Sequence, residues 1–113
     1  MNYNTELEDH IDHHFIDREE LIKNKQMGGV GWLINGHMCC GIYEDLLVIR
    51  TEPSLVDALL KKPDIHLFSH RKGTKDTFLA LASPIYDHPK ARRKFLSHSF
   101  EYTSSLEPKK TEA

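Results

Sequence analysis

The chain has 113 residues, 39% of them hydrophobic, which suits one compact domain with a real core and is too short for two. A formal net charge of −2 with 28% charged residues excludes a global basic footprint for nucleic acid, and no apolar run approaches the roughly 20 residues of a membrane span. Met1 to Thr5 is not followed by the apolar core of a signal peptide, so a cytosolic protein is expected.

A first helix is expected to open at Thr5, because Thr5-Glu6-Leu7-Glu8 has capping-box spacing and early acidic residues suit the positive end of the helix dipole. Leu7, Ile11, Phe15 and Ile22 give it a core stripe, and Gly28-Gly29 ends the segment. Three strands follow over 29–34, 37–43 and 46–51. Asn35-Gly36 is the dipeptide best suited to positive φ in a two-residue hairpin, and Glu44-Asp45 forms a second tight turn. Pro53 then opens a short second helix with Leu55, Val56, Leu59 and Leu60 as its apolar side, stopped by Pro63. Strands over 65–70 and 77–82 flank the polar loop Arg71-Lys72-Gly73-Thr74-Lys75. A last helix starts at Asp87-His88-Pro89 and carries Ala91, Phe95, Leu96, Phe100 and Tyr102. A single domain over 1–106 and a loose tail over 107–113 complete the chain.

The order α-β-β-β-α-β-β-α predicts a two-layer α+β domain with a mostly antiparallel five-stranded sheet, whose strand order the sequence leaves open. Three features, Gly28-Gly29, the hairpin Leu33-Ile-Asn-Gly-His-Met-Cys-Cys-Gly41, and Asp45-Leu-Leu-Val-Ile-Arg50 with Glu52-Pro53 after it, resemble the N-terminal domain of the TfoX/Sxy proteins. A looser similarity runs on to Ser105-Leu106-Glu-Pro-Lys109. The chain departs from the family pattern at Gln26-Met27-Gly28 and in its histidine-rich first helix. The resemblance, to the stand-alone type without the helical C-terminal domain, implies an α+β domain that acts by protein contact. For full-length members it implies a role in regulating natural competence in bacteria. The family offers no catalytic constellation to carry over, and no motif here calls for a cofactor.

The residues themselves offer three kinds of site. His10 and His14 are i, i+4 neighbours on the expected first helix, with His13 beside them and Asp17 a turn further on; imidazole and carboxylate there would suit a divalent metal, against the plainer alternative of a solvated face. Arg50, ending an apolar strand, is suited to bidentate carboxylate or phosphate recognition, although a structural pairing is the commoner outcome. Together with His70, Arg71, Lys72 and Lys75, and with Lys90, Arg92, Arg93 and Lys94 of the last helix, it makes an anion or nucleic-acid surface the competing function. Cys39 and Cys40, the only cysteines, should point to opposite faces of their strand and act as reduced packing residues. Gly28-Gly29-Val30-Gly31 follows a helix and opens a strand, which is the wrong context for a phosphate loop. The expected function is therefore a non-enzymatic interaction or regulatory module, binding a protein partner or a second copy of itself through a sheet edge.

Overall fold

The computed structural model describes residues 3–26, 28–70 and 77–108. Helix α1 (Thr5–His14) leads into strands β1 (Ile22–Gln26), β2 (Gly29–Ile34), β3 (His37–Tyr43) and β4 (Leu46–Arg50). A 3-10 turn at Pro53–Leu55 and the single-turn helix α2 (Val56–Leu59) lead to β5 (Ile65–His70) and β6 (Thr77–Leu81). The chain closes with α3 (Ser83–Tyr86) and the long α4 (Pro89–Ser105). The strands form one six-stranded antiparallel sheet in the order β1-β2-β3-β4-β6-β5. The two-layer α+β class is as the sequence predicts, with six strands in place of five.

The extra strand comes from the expected first helix, which stops at His14 rather than running on towards Gly28. Beyond Phe15 the backbone closes two tight turns, from Arg18 N–H to the Phe15 carbonyl and from Leu21 N–H to the Arg18 carbonyl. Ile22 is 68% exposed and takes no part in a core stripe. Residues 22–25, Ile-Lys-Asn-Lys, are exposed, and β1 is recruited by the backbone donors and acceptors on the free edge of β2. Gly28 makes the reversal possible at φ +81°, a conformation that costs a residue with a Cβ. The Asn35-Gly36 turn has positive φ at both residues, as its sequence predicts.

All the long helices lie on one face. Leu7, Ile11 and Phe15 of α1 and Leu96 and Phe100 of α4 meet Val30, Trp32, Ile34, Ile42, Leu47, Ile49, Leu79 and Leu81 of the sheet in one core. Three polar ties hold α1 in place. The Asn4 side chain, rather than Thr5, caps the helix by accepting from Leu7 N–H at 3.0 Å, while its Nδ2 donates to the Tyr86 hydroxyl at 3.3 Å. Tyr86 in turn donates to the Asp45 carbonyl at 2.5 Å. The Lys23 ammonium on β1 reaches Glu8 at 2.6 Å and Asp12 at 2.8 Å, and Asp12 also accepts from the Trp32 indole at 3.2 Å. Because Glu8 is nearly buried, this ion pair is screened less than an ordinary surface pair.

Asn4→Ala removes both the cap and the bond to Tyr86 and leaves an unmet donor in the first turn of α1. A loss of about 1–2 kcal/mol is expected. Urea unfolding followed by Trp32 fluorescence will measure it, with Thr5→Ala as a comparison expected to cost much less.

Candidate functional site

The sheet's second face is different in character, and among the described residues no helix covers it. Side chains alternate along each strand, so burying Val30, Trp32 and Ile34 beneath the helices turns Gly31 and Leu33 of β2 the other way. Gly31 pairs with Gly41 of β3, and with no Cβ on either residue the two backbones form a low floor. A Cβ on Gly41 would lie 2.7 Å from the Val30 carbonyl oxygen, so this position cannot carry a side chain without moving the strand. On Gly31 it would meet only the thioether of Met38, at 3.1 Å, which is a flexible neighbour.

Around this floor the sheet curls into a trough of 260 Å³, walled by Leu33, Met38, Tyr43, Val48 and Phe68 and edged by Asn24. It reaches from β1 at one edge of the sheet to β5 at the other. Tyr43 and Phe68 belong to strands separated by β4 and β6, yet their rings meet edge-on at 5.8 Å between centroids. On a flat sheet three strand spacings would hold their backbones roughly 14 Å apart, so curl and inward lean together close the rim. Both rings remain more than 40% exposed. The lining is apolar with few polar groups, which is the character of a binding surface.

Arg50 belongs to this same face but is not free to serve it. The guanidinium is 4% exposed, Nε donates to the Met38 carbonyl at 2.8 Å, and its central carbon lies 4.5 Å from the centroid of the Phe78 ring. The β3–β4 ladder ends at Cys40 opposite Ile49, so the Met38 carbonyl beyond it is met by this side chain. Of the two outcomes left open by the sequence, Arg50 takes the structural one.

The cysteines depart from expectation. β2 and β3 slip by one residue, Trp32 facing Cys40 and Leu33 facing Met38, so Cys39 is an unpaired bulge residue. The bulge breaks the alternation, buries both thiols completely and brings them within hydrogen-bonding reach of each other. Burial pushes the Cys40 thiol well up, while hydrogen bonding from Cys40, then from Ser99 and Thr103, draws Cys39 down. Ser99 Oγ also donates to the Cys39 carbonyl, tying α4 to the bulge. His37 is turned elsewhere: its Nε2 lies 2.8 Å from the Glu107 carbonyl oxygen, so it does not serve Cys39 as a general base.

The histidine ridge is taken apart as well. His10 is exposed, Asp17 falls in the turns after α1, and His14 is held by the Ser97 hydroxyl of α4 at 3.2 Å. Among the described residues no three His, Cys, Asp or Glu side chains come together as metal ligands. The basic residues divide too. Arg92 is buried and donates to the Tyr86 carbonyl at 2.9 Å, whereas Lys90, Arg93 and Lys94 are exposed. Arg71, Lys72 and Lys75 lie outside the described residues. The trough itself was missed by the sequence analysis; its signal was the strictly alternate spacing of Gly29, Gly31 and Gly41 against Val30 and Ile42 in adjacent strands.

Comparison with protein-family models, with curated proteins and with solved structures gives no match for this chain.

Two measurements follow from the buried groups. Both thiols should resist iodoacetamide in the native protein and take two adducts once it is unfolded, read by mass spectrometry. His14 is held below its ordinary value near 6.5 by burial and then by the charges of Arg93, Arg92, Arg18 and His13. The unfolded chain therefore binds this proton more tightly than the folded one, so stability rises with pH through the window just below 6.5 and falls on acidification. His14→Gln should flatten that limb when unfolding is compared at pH 5 and pH 7.5 in a phosphate-free buffer.

Proposed function

We propose that the chain is a small non-enzymatic domain of the TfoX N-terminal type, working in the cytoplasm as a protein-interaction and regulatory module, with the trough as its contact surface. The observation that carries this reading is the glycine-floored, aromatic-rimmed apolar face, left open on the side away from the helices. A partner presenting one or two apolar side chains fits it better than a polar metabolite does, because the walls hold few donors or acceptors to orient one. Met38 gives the floor an adjustable wall, and Tyr43 and Phe68 supply the large, rigid contact area that dominates protein interfaces. The TfoX/Sxy resemblance supports the same class of function, regulation by protein contact.

Site-specific photo-crosslinking in cells tests the idea. A benzophenone side chain replacing Phe68 should capture a defined partner, and one replacing Ile16, which is 71% exposed in the turns after α1, should not. The mass of the captured species tells a second copy of this chain from a different protein. Gly31→Ala raises the floor against the yielding Met38 thioether, and Phe68→Ser strips the rim. Each should weaken capture about tenfold with the melting temperature nearly unchanged, the loss typical of one good interface contact. Equal capture from both crosslinker positions would sink the proposal.

A further inference from the structure

A second surface, on the helical side of the molecule, assembles charges that the sequence keeps 75 or more residues apart. His14 at the end of α1 meets Ser97 of α4 at 3.2 Å. Arg93 is one helical turn before Ser97 and so lies on the same face of α4. The turns after α1 carry Arg18 back over α4, where its guanidinium rests 4.7 Å from the centroid of Phe100, itself packed at 5.6 Å on Phe15. Two guanidinium groups, an imidazole and a hydroxyl from three segments of chain are thus set along about two turns of α4, from Arg93 to Phe100.

The field at this place has one sign. The charged groups that act most strongly on His14 are cationic, in the order Arg93, Arg92, Arg18 and His13. Of the acids close to His14 in the sequence, Asp12 is engaged by Lys23 and Trp32, and neither Asp17 nor Glu101 ranks with these cations in its effect. Arg92 adds a fixed charge from beneath, its guanidinium bonded to the Tyr86 carbonyl. Lys90 and Lys94 continue the basic side of α4 towards its N-terminus, the end where the helix dipole is positive and cations are least favourable. For a divalent metal the field is repulsive, which disfavours His14 as a ligand despite its imidazole. For an anion it is attractive, and the donors match: planar guanidinium forks pair bidentately with oxyanions, and a serine hydroxyl adds a third direction.

We propose that Arg18, Arg93 and Ser97, with His14 joining as the imidazolium, form a binding site for a compact doubly charged oxyanion, inorganic phosphate or the phosphate group of a monoester. A patch about two turns long, with two long arginine side chains on either side of Ser97, suits one phosphate group better than a backbone tracked over several phosphates. The face of Phe100 is covered by Arg18, and Phe15 packs edge-on against His14 and beside Phe100, which takes both rings from a stacking base. Binding a dianion reverses the field at His14, so protonation of His14 and phosphate binding favour each other.

The test uses the full chain, labelled for NMR, with His14 ring and Ser97 amide resonances followed while sodium phosphate or sodium chloride is added at matched ionic strength and pH 7. Saturable shifts with phosphate alone, together with an upward move of the His14 pKa in its presence, are expected. Arg93→Gln, at an exposed position, should weaken phosphate at least fivefold and Ser97→Ala more mildly. Lys61→Gln, whose charge does not act on His14, should change nothing. Equal shifts in chloride would reduce the patch to general screening and overturn the site. So would phosphate shifts unaffected by Arg93→Gln, or binding of a single-stranded oligonucleotide that phosphate does not displace.

Discussion

The close approach of β2 and β3 is the constraint on which the rest of this structure depends. Gly31 and Gly41 face each other across that pair, and a Cβ at Gly41 would press on the Val30 carbonyl. Because the strands sit this close at one end and slip by one residue at the other, Cys39 is squeezed out as a bulge. The bulge has three consequences. It turns two adjacent thiols into the same core, it leaves the Met38 carbonyl to be met by Arg50 rather than by the β4 backbone, and it lets Met38 lie over the glycine floor. Core packing on one face and the trough on the other are therefore products of one irregularity in strand pairing.

The helical layer is tied on by polar groups as much as by apolar burial. Asn4, Tyr86 and Asp45 link the start of α1 to α3 and to the β3–β4 turn, while Lys23 links α1 to the edge strand β1. A single Lys holding two carboxylates from one helix explains how a strand with almost nothing to bury stays registered on the sheet. It also gives that edge a charged row, with Lys25 close by, which discourages pairing with another chain. At the opposite edge, β5 exposes Leu67 and Phe68, and Phe68 belongs to the trough rim, so the apolar contact area leans towards that side.

Cations in this molecule fall into two physical situations. Arg50 and Arg92 are buried, and each directs a guanidinium N–H to a backbone carbonyl, that of Met38 beyond the end of the β3–β4 pairing and that of Tyr86 at the end of α3. That is a satisfied structural role, and it removes both from a list of exposed binding residues. Arg18 and Arg93 remain at the surface around His14, where each raises the cost of protonating the imidazole. The two surfaces are chemically unlike, an apolar trough on the bare face of the sheet and a cationic cluster on the helical side, so changes at one can be made without touching the other.

The α+β class, the Asn35-Gly36 hairpin, β2 to β6 and the last helix were all legible in the chain, because each rests on local rules: alternation, turn residues that accept positive φ, and proline at helix starts. Where α1 stops was not legible, since Ile22 continues a helical stripe in one dimension and only the free edge of β2 offers its segment a better use. Nor was the bulge at Cys39, because alternation assumes unbroken pairing and the slip is decided by how closely the facing glycines let two strands approach. The sequence by itself determined which residues could form strands and helices and which carried charge. Tertiary structure alone decided that Arg50 and Arg92 would be consumed by the fold and that His14 would meet Arg18, Arg93 and Ser97. The meeting of His14 and Arg18 with α4 joins segments about 80 residues apart, and no local periodicity encodes a distance between them.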